Sequence, residues 1–281
     1  MSETTHSSDI SVRHELLSRN SILDFAVLLA VPVVLFIIYH QPEELKRAYT
    51  FYYLEPEIVT AFSNHFIHIT TAHIASNLIG YLLLASVSYV LCVLSGRRQF
   101  FYVCLITFIF VFPFVLSALN LALPRDAIGY GFSGINMALY GLLAMSLAIF
   151  VIEQINSDLQ IRNAPILFFI AMGIVAFIAV PPSAVTLGTM ALCVAISSYY
   201  IRSMISHTSV PTMRSVRWLL SQSPAIDVAA FSFALFVFYP FVAFPGVSQG
   251  GDAIINLYVH LLGFCLAFIS AYVFEQLLHV D

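Results

Sequence analysis

The chain has 281 residues, of which 60% are hydrophobic and 9% charged, with a mean hydropathy of +0.93 and a formal net charge of −4. A soluble domain carries about 25% charged residues, so this composition excludes a water-solvated globule and puts most of the surface in lipid. No basic stripe interleaved with aromatics points to a nucleic acid, and no glycine-rich loop points to a nucleotide.

Residues 1–20 are polar and read as a cytoplasmic tail; 21–281 read as one transmembrane domain. No cleavable signal peptide is evident, because the first apolar run is long enough to span and remain. A helix needs roughly 20 apolar residues to cross the hydrocarbon core. The runs 21–39, 68–94, 99–121, 132–153, 164–181, 184–204, 227–245 and 254–277 meet that need. Backbone polar groups cannot stay unpaired in lipid, so these runs are expected as helices of an all-α polytopic membrane protein with about eight spans. Pro181-Pro182-Ser183 is expected to break the fifth run from the sixth as a tight re-entry.

With the N-terminus inside, the cytoplasmic side holds Arg13, Arg19, Arg97, Arg98, Arg162, Arg202, Arg214 and Arg217, against Lys46, Arg47 and Arg125 outside. This asymmetry supports an N-in, C-in topology. The long outer loop 40–67 carries Tyr49, Phe51, Tyr52, Tyr53 and Leu54, a patch that reads as a segment lying in the membrane interface or as a flexible aromatic loop. Residues 205–226 form a cytoplasmic connector with Trp218. Cys92, Cys104, Cys193 and Cys265 fall in apolar runs without CxxC spacing and read as packing thiols.

Ionisable groups inside a membrane are costly, and each is a functional candidate. His73 and Asn77 lie four residues apart on one face of the second span. Ser133 opens the fourth span in Gly129-Tyr-Gly131-Phe-Ser133-Gly134, and His260 sits in the last span, about six residues or roughly 9 Å from its start. In the N-in topology these four groups share one outer layer of the bilayer. Gly134, Ala138 and Gly141 make a small-residue stripe on the fourth span, and His260, Gly263 and Ala267 follow a similar spacing on the last. Small residues let membrane helices approach closely, which would bring the His260 imidazole towards the Ser133 hydroxyl.

These motifs resemble the rhomboid family of intramembrane serine proteases over about 60–277. The matching residues are Gly131-Phe-Ser133-Gly134, the second-span pattern His68, His73 and Asn77, and the last-span pair His260 and Gly263. The resemblance implies a six-helix core plus two extra helices, and a Ser–His dyad of Ser133 as nucleophile and His260 as general base. A serine hydroxyl is a weak nucleophile until a base takes its proton. The oxyanion formed on attack needs positioned donors. The resemblance assigns these to His73, the Asn77 amide and the Ser133 backbone N–H, with His68 as a brace for the outer loop. It implies transmembrane protein substrates in the bilayer, cut in or near their membrane segments. It implies no cofactor, no metal and no nucleic-acid partner, and a place in the plasma membrane with the active site opening outward.

The chain departs from the family pattern. Glu57-Ile-Val-Thr60 stands where a Trp-Arg pair is common, Met137 stands where an aromatic often meets the histidine, and Ala267 replaces a glycine. Three spans rather than one separate Ser133 from His260, which keeps parity. If 227–245 plays the family's fifth helix, its six phenylalanines include a side gate or are ordinary lipid-facing residues. Two other readings stand beside this one. His65, His68 and His73 could bind metal in a transporter, although no carboxylate or cysteine completes the set. A rhomboid-like protein could also bind membrane clients without cutting them. A soluble hydrolase elbow is excluded, because Ile135 occupies its last glycine position.

Overall fold

The computed structural model describes residues 22–123, 125–207, 224–244 and 257–278. The expected tail 1–20, with Arg13 and Arg19, lies outside them, as does the part of the connector that carries Arg214, Arg217 and Trp218. In chain order the helices are α1 Ile22–Tyr39, α2 Glu43–Ala48, α3 Ile58–Ser63, α4 Thr71–Leu94, α5 Arg98–Phe110, α6 Phe112–Asn120, α7 Ser133–Gln154, α8 Pro165–Ala179, α9 Ala184–His207, α10 Pro224–Ala243 and α11 Leu257–Leu278. A two-residue ladder joins β1 Phe51–Tyr52 to β2 Ile128–Gly129.

Seven helical segments are long and apolar enough to cross a membrane: α1, α4, α7, α9, α10, α11, and α8 together with the 3-10 turn Ile161–Asn163 that leads into it. The chain is a polytopic helical membrane protein. The expected third span, 99–121, is not one straight helix. It divides into α5 and α6 with a 46° bend, and counted as one span the pair brings the total to eight. Pro113 explains the break: it sits in the first turn of α6, where its missing N–H costs nothing, but it cannot continue α5. The Pro181-Pro182-Ser183 re-entry is present between α8 and α9. There Ser183 Oγ accepts the Thr186 N–H at 3.1 Å and caps α9.

Contacts group the chain into two compact units. One comprises 21–88, 99–142 and 253–281, and it contains every candidate site residue. Within it, α3 packs on α6 and α11 packs on α6. The buried Asp24 carboxylate accepts the Tyr102 hydroxyl, tying α1 to α5. The loop 40–67 is folded: β1 pairs antiparallel with β2, Phe51 opposite Gly129 and Tyr52 opposite Ile128. The Tyr52 hydroxyl donates to Asp126 at 2.7 Å, and this bond to the carboxylate raises the phenol above its ordinary pKa. Arg125 stacks 3.9 Å over the Tyr53 ring. The aromatic patch expected at the interface is divided: Phe51 and Tyr53 are buried, whereas Tyr49, at the end of α2, and Leu54 are exposed.

The second unit includes 89–98 and 143–252. Here α8 packs on both α9 and α10. Arg97 pairs with Glu153 at 2.7 Å, and Gln154 Nε2 donates to Leu94 O at 2.9 Å, fastening the end of α4 to the end of α7. Helix α4 ends at Leu94, and Gly96 just beyond it, with φ +72°, supplies the left-handed cap that closes with Arg97 N–H on Cys92 O at 2.7 Å. Of the six phenylalanines in the 227–245 run, Phe236 and Phe244 are buried and Phe231, Phe233, Phe238 and Phe241 are exposed. The four cysteines are free thiols, three buried and Cys265 partly so.

Candidate active site

The segment Gly131-Phe132-Ser133 is held from the side of the segment 64–68. The Gly131 N–H donates to Asn64 O at 2.9 Å, and the Phe132 N–H donates to His68 Nε2 at 3.3 Å. Two successive backbone donors ahead of Ser133 are thus taken by the loop 64–68. The N–H groups of Ile135 and Asn136 both bond Phe132 O at 3.0 Å, the first hydrogen bonds at the head of α7. Ser133 and Gly134 precede those bonds, as first-turn donors of a helix do.

Gly131 has φ +113°, a conformation that L side chains rarely adopt. A β-carbon there would lie 2.5 Å from His73 Cε1 and 2.7 Å from His73 Nε2, so the imidazole rests on the Gly131 backbone. The His73 ring lies 4.9 Å from that of His68 and 5.6 Å from that of Tyr130. Two of the residues expected as oxyanion donor and brace, His73 and His68, therefore sit together beside the start of α7.

Helices α7 and α11 meet backbone to backbone. A β-carbon on Gly263 would collide with the Gly134 carbonyl and lie 3.2 Å from Met137 Cβ. A β-carbon on Gly134 would lie 3.1 Å from Val259 Cγ1. Two turns further on, a β-carbon on Gly141 would lie 2.9 Å from both Phe264 O and Phe268 N, and 3.0 Å from Ala267 Cβ. The small-residue stripes read from the sequence form this crossing, Gly134 and Gly141 on one side and Gly263 and Ala267 on the other. Ser133 directly precedes Gly134, and His260 stands one turn ahead of Gly263. Ser133 is partly exposed, and His260 is 6% exposed. The hydrogen bonds of the described residues include none at the Ser133 hydroxyl. Met137 is buried in the crossing.

Asn77, 4% exposed, lies one turn below His73 on α4 and donates from Nδ2 to His73 O at 3.0 Å. Its neighbour across the packing is Asn136, a residue the sequence reading passed over. Asn136 Nδ2 donates to Asn77 O at 2.9 Å and to Asn77 Oδ1 at 3.1 Å. The available signal was its place three residues after Ser133, on the same helical face. Asn64 and Ser117 were also passed over. Asn64 Nδ2 donates to Thr60 O, Ala61 O and Ser117 Oγ, and Ser117 Oγ donates in turn to Ala61 O at 2.7 Å. Polar residues in a loop and in an apolar run carry no spacing that marks such a network.

The three histidines weighed as metal ligands have separate tasks. His65 Nε2 contacts Ser117 Oγ at 3.2 Å, and burial pushes its pKa down to about 4. His68 accepts the Phe132 N–H, and burial, reinforced by the nearby His73, pushes its pKa down to about 3. Among the described residues no three His, Cys, Asp or Glu side chains gather as a metal-ligand set. No protein-family model, no curated protein and no solved structure matches this chain.

Proposed function

We propose that the chain is an intramembrane serine endopeptidase of rhomboid type, cutting peptide bonds in or near the transmembrane segments of membrane-protein substrates. The observation that supports it most is the close crossing of α7 and α11 at Gly134 and Gly263, residues that lie next to Ser133 and one turn from His260 in the chain. His73 and Asn77 flank the same helix start. In the proposed reaction Ser133 Oγ bonds to the substrate carbonyl carbon as its proton passes to His260. The developing oxyanion takes hydrogen bonds from Asn77, His73 and the Ser133 N–H. The C–N bond then breaks, His260 protonates the leaving amine, and water releases the acyl group by the reverse route. The proposed setting is a cell membrane, with the substrate reaching Ser133 from the outer leaflet.

The test is labelling of the detergent-solubilised chain by a fluorophosphonate. Its phosphorus bonds to Ser133 Oγ as fluoride leaves and His260 takes the proton. Wild type should label, and Ser133→Ala and His260→Ala should not. The lack of a hydrogen bond at the Ser133 hydroxyl favours a second reading, a client-binding protein that does not cut. A wild type that stays unlabelled beside a labelled rhomboid control would select that second reading.

A further inference from the structure

Each side-chain amide has an oxygen end and a nitrogen end, and hydrogen bonds decide which way it faces. At Asn136 and Asn77 two backbone carbonyls make that decision. Asn136 Nδ2 lies 2.9 Å from Asn77 O. A carbonyl oxygen only accepts, so this end of Asn136 must be the nitrogen. The same nitrogen lies 3.1 Å from the near end of the Asn77 amide, which must therefore be its oxygen. The far end of Asn77 lies 3.0 Å from His73 O, again a pure acceptor, which requires nitrogen there. Both constraints agree. The Asn77 NH2 spends one proton on His73 O and keeps a second to donate.

Asn136 is 2% exposed, and its Oδ1 has no partner among the described residues. A buried amide with an orphan oxygen is a poor choice for packing alone, where an apolar side chain of the same size would cost less. Its nitrogen, by contrast, is fully used on Asn77.

We infer that Asn136 is a positioning residue that fixes the direction of the Asn77 amide, so that Nδ2 rather than Oδ1 faces the reacting carbonyl oxygen. The inference rests on the serine-protease reading and adds to it a residue that touches neither nucleophile nor substrate. Without Asn136 the Asn77 amide loses the donor that holds its oxygen. With a carboxylate in its place the Asn77 amide stands between two acceptors, the new one and His73 O, and neither orientation satisfies both ends.

The experiment measures fluorophosphonate labelling of the full chain, separating the maximal labelling rate from the probe's half-saturation concentration. Asn136→Asp and Asn136→Leu should each lower the maximal rate about ten- to hundredfold, the scale set by misplacing one catalytic group. Half-saturation should not move. In an Asn77→Ala background either change should cost less than about twofold, because the residue it positions is already gone. A residue that merely packs would give losses that multiply in that background, and this result overturns the inference. So would an unchanged labelling rate in a variant with a wild-type thermal midpoint. If Asn136→Leu does not fold, the near-isosteric Asn136→Asp carries the test. Labelling of wild type that Ser133→Ala abolishes, together with multiplying losses, removes only the role of Asn136. A wild type that never labels removes the protease reading and this inference with it.

Discussion

Individual residues around Ser133 are held by backbone geometry as much as by side chains. Gly131 combines a φ of +113° with a His73 ring that occupies the space of a β-carbon. Gly131→Ala should therefore cost about 1–3 kcal/mol of stability from backbone strain and displace His73, which thermal unfolding and labelling would report together. His65 and His68 are buried neutral, with folded pKa values of about 4 and about 3 against an ordinary 6.5. As pH falls below about 6.5 the unfolded chain binds their protons first. Stability from this source is complete above that pH and drains away as pH drops towards the folded values, by at most about 1.4 kcal/mol per pH unit for each histidine. Unfolding midpoints at pH 7.5 and pH 5 should differ in this direction, and His65→Gln should reduce the slope. Equal midpoints would contradict the buried neutral state.

Helices come next in scale. The α7–α11 contact has room for no side chain at Gly263, where a β-carbon would enter the Gly134 carbonyl. Gly263→Val should force the helices apart, destabilise by about 1–3 kcal/mol through overpacking, and abolish Ser133 labelling. The control is Ile269→Val, an exposed position on the same helix, which should leave both measurements unchanged. The β1–β2 ladder straps the segment ahead of Ser133 to the loop 40–67. Tyr52→Phe removes only the bond to Asp126, and faster proteolysis of the 125–130 loop, with the thermal midpoint unchanged, is the expected result.

At the scale of the molecule, α7 alone sets a topological test. Its 22 residues span about 33 Å at about 1.5 Å per residue, enough for a hydrocarbon core of about 30 Å. Arg125 and Arg162 lie beyond its two ends. Arg125→Cys and Arg162→Cys, made without the native cysteines, should react with an impermeant maleimide from opposite faces of a sealed vesicle. The outcome expected from the charge asymmetry is Arg125→Cys reacting from the outer face. Labelling of both from one face would overturn the topology, and labelling of Arg162→Cys from outside would invert it.

Composition and run length were enough to read a polytopic helical protein, because the cost of exposing peptide groups to lipid leaves a long apolar run few choices but a helix. The crossing stripes were legible for a similar reason: Gly134, Gly141, Gly263 and Ala267 lack the side-chain bulk that keeps helices apart, and absence of bulk is visible in one dimension. The bend at Pro113 was carried by a single residue inside an unbroken apolar run, and hydropathy alone hid it. The folding of the aromatic patch depended on Phe51 and Tyr52 finding Gly129 and Ile128, 78 and 76 residues away in the chain. The hydrogen bonds of Asn136 to Asn77 and of Asn64 to Gly131 were illegible as well. A polar side chain shows in sequence what it offers, but its partner is chosen by which helices lie within 3 Å, and only the tertiary structure decides that.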